Sequence, residues 1–182
     1  MFSTVWKTVE TGGVNVVISG EIGAGKSTVV RDVMRRMGWS APGGFFTHWG
    51  GGERGSDALN VSTWGGESHL MARRRMGKAG LEQVPYELEA DGFCRIAIPS
   101  FRVLQQPVVI DELGMIELDS PEFSEAVANL FQCSVPVLAV IQARAMKRWR
   151  SILGPKGVDH SFQVTSFTRE VLSEQITALF RS

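Results

Sequence analysis

The sequence predicts an α/β fold of three layers: a mostly parallel sheet, helices on both faces, and a loop-rich antiparallel insertion at its edge. Three observations predict it. Val14–Ser19, Gln106–Asp111 and Val135–Ile141 are short, continuous apolar runs, the pattern of strands buried on both faces. Segments with apolar residues at helical spacing alternate with them, which implies parallel strands joined through helices. A glycine-rich turn links the first strand to the first helix.

The elements follow in order. Lys26–Met37 is the first helix, with Val30, Val33, Met34 and Met37 on one face. A short strand around Gly44–His48 runs into the glycine-heavy stretch ending at Gly55, and weaker strand signals lie at Asp57–Ser62 and His69–Ala72. The insertion spans about residues 48–80. Ser120 followed by Pro121 marks a helix start, serine capping and proline at the first helical position. Phe123, Ala126, Val127, Leu130 and Phe131 form its stripe. Ala143–Leu153 is a basic helix, Phe162–Thr165 a last strand, and Thr168 caps a closing helix carrying Leu172, Ile176, Leu179 and Phe180.

The chain has 182 residues, 43% of them hydrophobic, enough for one well-buried core and a single domain over 1–182. Nineteen basic residues balance nineteen acidic ones, which argues against a surface built for nucleic acid or anionic membrane and leaves room for a local basic patch. Cys94 and Cys133 have no Cys or His at metal-ligand spacing and read as reduced thiols. MFSTVWKTVETGG has no basic start followed by an apolar stretch, so it does not read as a signal peptide, and no run approaches the roughly 20 apolar residues of a membrane span. The expectation is a cytoplasmic protein with no membrane partner.

Gly20-Glu21-Ile22-Gly23-Ala24-Gly25-Lys26-Ser27 fits G-x-x-x-x-G-K-[ST], and Thr28 follows. Gly20, Gly23 and Gly25 allow backbone angles and close approach that a β-carbon would block. Successive N–H groups then form a nest for phosphate oxygens, and the helix N-terminus adds about half a positive charge. Lys26 reaches the β and γ phosphates, and the Ser27 hydroxyl ligates Mg²⁺. The strand–turn–helix setting is the context this motif requires.

VVIDELG, Val108 to Gly114, supplies acid. Asp111, at a strand's carboxyl end, can hold through a water the Mg²⁺ of a bound ATP or other nucleoside triphosphate. Glu112 can orient and deprotonate a water in line with the γ-phosphorus, which suits hydrolysis. Leu113 and Gly114 complete the segment and join the nucleotide-contacting set. Gln142 and Arg144 lie just past the Val135–Ile141 strand, where ligands of open α/β sheets bind. Gln142 can position the attacking water, and Arg144 can sense the γ-phosphate. Arg73, Arg74 and Arg75, with Lys78 nearby, can serve as an arginine finger, bind RNA or an acidic partner, or form a solvated basic edge. Glu117 reads as a helix-approach charge that could instead touch the nucleotide or a substrate, Trp49 and Phe46 as packed aromatics that could instead stack on a base, and the three histidines carry no assigned role.

Four stretches together resemble a known family, the P-loop nucleoside-triphosphatases first described from thermophiles and later as a cancer-related NTPase. They are SGEIGAGKST (Ser19–Thr28), GGFFT (Gly43–Thr47) with Arg54-Gly55, LMARR (Leu70–Arg74), and VVIDELGMIELDSPEF (Val108–Phe123). The resemblance implies a RecA-like parallel sheet and slow Mg²⁺-dependent hydrolysis of NTP to NDP and phosphate with broad base tolerance. The chain departs from the family at Met115, Gln142 and Ser56, where Lys, His and an apolar residue are common; the phosphate and metal groups are intact. Two other functions fit the motifs: a small-molecule kinase with the Ala143 helix as a lid, and a nucleotide-operated switch using the Arg73–Arg75 cluster and the Gly50–Gly52 loop.

Overall fold

A computed structural model describes residues 13–51, 56–75, 85–102 and 106–182. Among the described residues, eight strands form one sheet: β1 (Asn15–Ser19), β2 (Gly43–Trp49), β3 (Ala58–Thr63), β4 (Ser68–Arg74), β5 (Tyr86–Leu88), β6 (Val108–Leu113), β7 (Val137–Ile141) and β8 (His160–Gln163). Their spatial order is β5-β4-β3-β2-β6-β7-β1-β8. From β2 to β8 neighbouring strands run parallel. From β2 outward through β3, β4 and β5 they alternate antiparallel. The antiparallel edge therefore exists as expected, and it continues beyond residue 80 to Leu88.

Alternation along the central strands explains the layers. Val17 of β1, Val108 and Ile110 of β6, and Val137, Ala139 and Ile141 of β7 join one core with Phe93, Phe123 and Trp149. Those three come from α2 (Ala90–Ser100), α3 (Pro121–Leu130) and α4 (Met146–Leu153). Val16, Ile18, Val109, Leu138 and Val140 point the other way, onto Val29, Val30 and Val33 of α1 (Lys26–Met37) and Leu172 and Ile176 of α5 (Arg169–Arg181). Period-two side chains on strands buried on both faces produce this sandwich.

Several local readings need correction. The β5 strand and α2 were not anticipated; α2 contains Gly92 and Pro99, residues that read as breakers, yet Pro99 sits in its last turn and Gly92 packs against His69. The last strand is His160–Gln163, two residues earlier than expected, because Val164 leaves the ladder after its N–H bonds the Ser19 carbonyl at 2.7 Å. Thr168 precedes α5, but its hydroxyl accepts from the Thr165 N–H at 3.0 Å and caps no helical amide. The basic helix begins as a 3₁₀ turn over Ala143–Ala145 before α4. Ser120 does cap α3, accepting from the Phe123 N–H at 3.2 Å.

No helix among the described residues is long and apolar enough to cross a membrane.

Candidate active site

The loop after β1 is built for an anion. Gly25 precedes α1 at φ 95°, a left-handed conformation that glycine adopts without strain. No side chain caps α1, its first turn holds no acid, and the Val29 N–H makes the first helical bond, to the Gly25 carbonyl at 3.0 Å. The amides of Lys26, Ser27 and Thr28 therefore face the loop, with the positive end of the helix dipole behind them. The Lys26 ammonium bonds the carbonyls of Gly20 and Glu21, each at 3.0 Å, which holds it over the same loop.

Asp111 comes to this loop from β6. It shares parity with Val109, whose side chain packs on the α1 face, so its carboxylate faces α1. There Ser27 is its neighbour, and the hydroxyl favours the charged form of the carboxyl. Burial pushes the Asp111 carboxyl up to about 6, and the Glu112 charge adds to the rise; the Ser27 hydroxyl and the charges of Arg31 and Lys26 oppose it. Arg31 was missed in the sequence, although its place four residues after Ser27 puts both on one face of α1.

Glu112 sits at a β-bulge. The β6–β7 register runs Asp111 to Val140 and then Leu113 to Ile141, leaving Glu112 as the extra residue. The bulge restores Leu113 to the core shared with Ile110, and the Asp111–Glu112 peptide is cis. The Glu112 carboxylate accepts from the Gln142 amide, and the Gln142 carbonyl accepts from the Arg144 guanidinium at 3.2 Å. Three residues predicted from two stretches thus form one chain of bonds at the carboxyl ends of β6 and β7.

Gly114 is clamped beneath them. Its N–H donates to Glu117 at 2.8 Å, and its carbonyl accepts from the Trp149 indole at 2.9 Å. A β-carbon there would lie 2.7 Å from the Gln142 amide. Glu117, which reads in the sequence as a helix-approach charge, is buried. It is 3% exposed, and burial pushes its carboxyl up to about 8; the Glu112 charge also raises it, while backbone bonds and the Arg144 charge pull it down.

Other candidates fall elsewhere. Arg73 pairs with Glu89 at 3.4 Å, Arg74 with Asp57 at 3.8 Å and over the Tyr86 ring, and Arg75 with the Tyr86 carbonyl at 3.3 Å. β4 lies five strand steps from β1, about 24 Å at the usual spacing, so these arginines do not reach the phosphate loop of their own chain. Lys78, Arg54, Gly55 and Gly52 lie outside the described residues. Phe46 packs on Trp64 with ring centroids 4.8 Å apart, and Trp49 on Tyr86 at 5.4 Å, within the antiparallel edge.

The family model described as NTPase matches residues 15–177. The chain belongs to this NTPase family. This NTPase-family chain is 32% identical over 148 residues to the nucleoside-triphosphatase THEP1 of Thermococcus kodakarensis, covering 75% of this chain and 81% of that protein. It is 33% identical over 177 residues to the THEP1 of Thermofilum pendens, covering 89% and 92%. The crystal structure of THEP1 from Aquifex aeolicus superposes with a TM-score of 0.72 at 25% identity, covering 92% of this chain and 99% of that one. The solution structure of a human cancer-related nucleoside triphosphatase shares the NTPase-family fold at a TM-score of 0.70 and 23% identity, covering 93% and 99%.

Proposed function

We propose that this chain is a Mg²⁺-dependent nucleoside-triphosphatase that transfers the γ-phosphoryl group of ATP, GTP and other NTPs to water, slowly and with broad base tolerance, in the cytoplasm. The proximity of Ser27, Asp111 and Glu112 carries the reading: a phosphate loop, a metal-type carboxylate and a second carboxylate tied to a water-positioning amide. The family membership supports it, as do the names of the relatives.

In this proposal the amides from Gly20 to Thr28 surround the phosphates, with Glu21, Ile22, Gly23, Ala24 and Gly25 shaping the loop, and Lys26 moves from its two carbonyls to the β and γ oxygens. Ser27 and Asp111 are hard oxygen groups set beside one another, a pair that fits Mg²⁺: Ser27 would ligate the ion and Asp111 would hold it through a water. The bound ion would neutralise charge on the β and γ oxygens. Glu112 takes the proton of the attacking water, Gln142 fixes the carboxylate's direction, and Arg144, which donates to the Gln142 carbonyl, senses the γ-phosphate. Leu113 and Gly114 hold the backbone under that group. The whole chain acts as one domain, with β3 to β5 as its edge insertion.

Incubation with γ-labelled ATP and Mg²⁺ tests this. Label released as free phosphate without any acceptor supports hydrolysis; label transferred to a nucleoside or metabolite makes the protein a kinase.

A further inference from the structure

We propose that Phe167 is the stacking platform for the nucleobase, so that the base is held by its aromatic face and not read at its edge. The proposal rests on the nucleotide reading above and extends it to the other end of the ligand.

Strand order sets the direction. Around the phosphate loop the sheet runs β6-β7-β1-β8. Asp111 and Glu112 come from β6, and Gln142 and Arg144 follow β7, so the residues outside the phosphate loop that are assigned to the γ-phosphate lie to one side of β1. A nucleotide whose γ end points there extends its base to the opposite side, over the carboxyl end of β8.

The segment that follows β8 lines the loop on that side. A β-carbon on Gly20 would lie 2.5 Å from the Val164 carbonyl, and one on Gly25 would lie 3.5 Å from the Arg169 side chain. Phe167 lies between those two contact points in the chain. It is 95% exposed, whereas Phe45, Phe93, Phe101, Phe123 and Phe131 are all buried. Among the described residues, the other exposed large apolar side chains are Ile22, at 71%, and Val171, at 57%. Ile22 belongs to the phosphate loop, Phe167 to the segment touching it, and Val171 to the first turn of α5 that follows. Leaving a phenylalanine in water forfeits its burial energy, and a flat apolar ligand face recovers it.

The chemistry of the segment explains tolerance for the base. Stacking serves every base because each has a π-face. The Thr165 and Thr168 groups nearby bond one another: the Thr165 N–H donates to the Thr168 hydroxyl, and the two hydroxyls lie 3.1 Å apart in a hydrogen bond. Arg169 sets a cation between this platform and the phosphate loop.

Equilibrium binding of Mg-ATP, Mg-GTP and Mg-tripolyphosphate to the full chain, its Phe167→Ala and Phe167→Trp variants, and Lys26→Ala tests the idea. Phe167→Ala is expected to weaken ATP and GTP alike by about 5- to 100-fold, leave tripolyphosphate unchanged, and be rescued by Phe167→Trp. Unchanged ATP and GTP affinity in Phe167→Ala overturns the platform and leaves the phosphate site standing. A parallel loss of tripolyphosphate affinity also overturns it, since the residue then acts on the loop. If the wild type binds tripolyphosphate and ATP no better than Lys26→Ala does, the nucleotide site itself is refuted.

Discussion

The Gln142 side chain joins two charges of opposite sign: its amide donates to the Glu112 carboxylate, and its carbonyl accepts from Arg144. An amide can do both only in one orientation, so this pairing sets where the Glu112 oxygens point. A general base acts through a lone pair aimed at one proton. Glu112→Gln removes the base and keeps the shape. It should bind Mg-ATP as the wild type does and lower kcat by at least roughly 10²-fold, the lower range for loss of a general base. Single-turnover hydrolysis alongside a binding titration separates the two effects, and near-normal turnover removes Glu112 from the reaction.

Gly114→Ala tests the support beneath that pair. The new methyl would lie 2.7 Å from the Gln142 amide, so the side chain must swing aside and take its hold on Glu112 with it. Displacement of about 1 Å at a reacting group can cost 10²-fold in rate. The expected result is a kcat lowered by about 10- to 100-fold, with KM little changed and an unaltered far-UV circular dichroism spectrum. An equal loss in KM would place Gly114 in nucleotide binding.

How far these relationships could be read from the sequence depends on their range. The bounds Lys26–Met37 were legible because glycines punctuate both ends, Gly25 and Gly38 each adopting positive φ. Asp111 was legible because an acid ending a buried apolar run has few structural reasons to be there. The bulge at Glu112 was not, since only the β6–β7 register reveals which residue is extra. Neither was the burial of Glu117: its partners are the Gly114 amide and, through Gly114, the Trp149 indole on α4, 35 residues from Gly114 in the chain. Arg169 escaped notice for the same reason, as its approach to Gly25 depends on α5 packing beside α1.

Lys26 and the metal ligands give a separate prediction. Lys26→Ala deletes a charge-assisted contact and should weaken Mg-ATP binding by roughly 10- to 100-fold while abolishing turnover. Ser27→Ala should leave metal-free nucleotide binding close to normal and raise the Mg²⁺ concentration needed for half-maximal turnover. Chelation with EDTA should stop hydrolysis, and added Mg²⁺ should restore it. Turnover persisting in EDTA would exclude the metal role for Ser27 and Asp111.

Glu117 should make stability depend on pH. Its carboxyl is raised from an ordinary value of 4.5 to about 8 in the fold, chiefly by burial. In the unfolded chain it ionises near 4.5, so between that pH and about 8 the folded state holds a proton that the unfolded state has released. Binding more protons when folded means that stability falls as pH rises through that window and levels off above it. Glu117→Gln keeps an oxygen to accept from the Gly114 N–H and has no proton to lose. Its melting temperature should therefore exceed that of the wild type at pH 8.5, by about 2–4 °C for each kcal/mol recovered, and the gap should close at pH 5. Glu117→Leu loses the acceptor as well, leaves the Gly114 amide unpaired, and should be less stable than Glu117→Gln at both pH values. Melting curves that run parallel with pH for wild type and Glu117→Gln would mean that Glu117 is ionised in the folded protein.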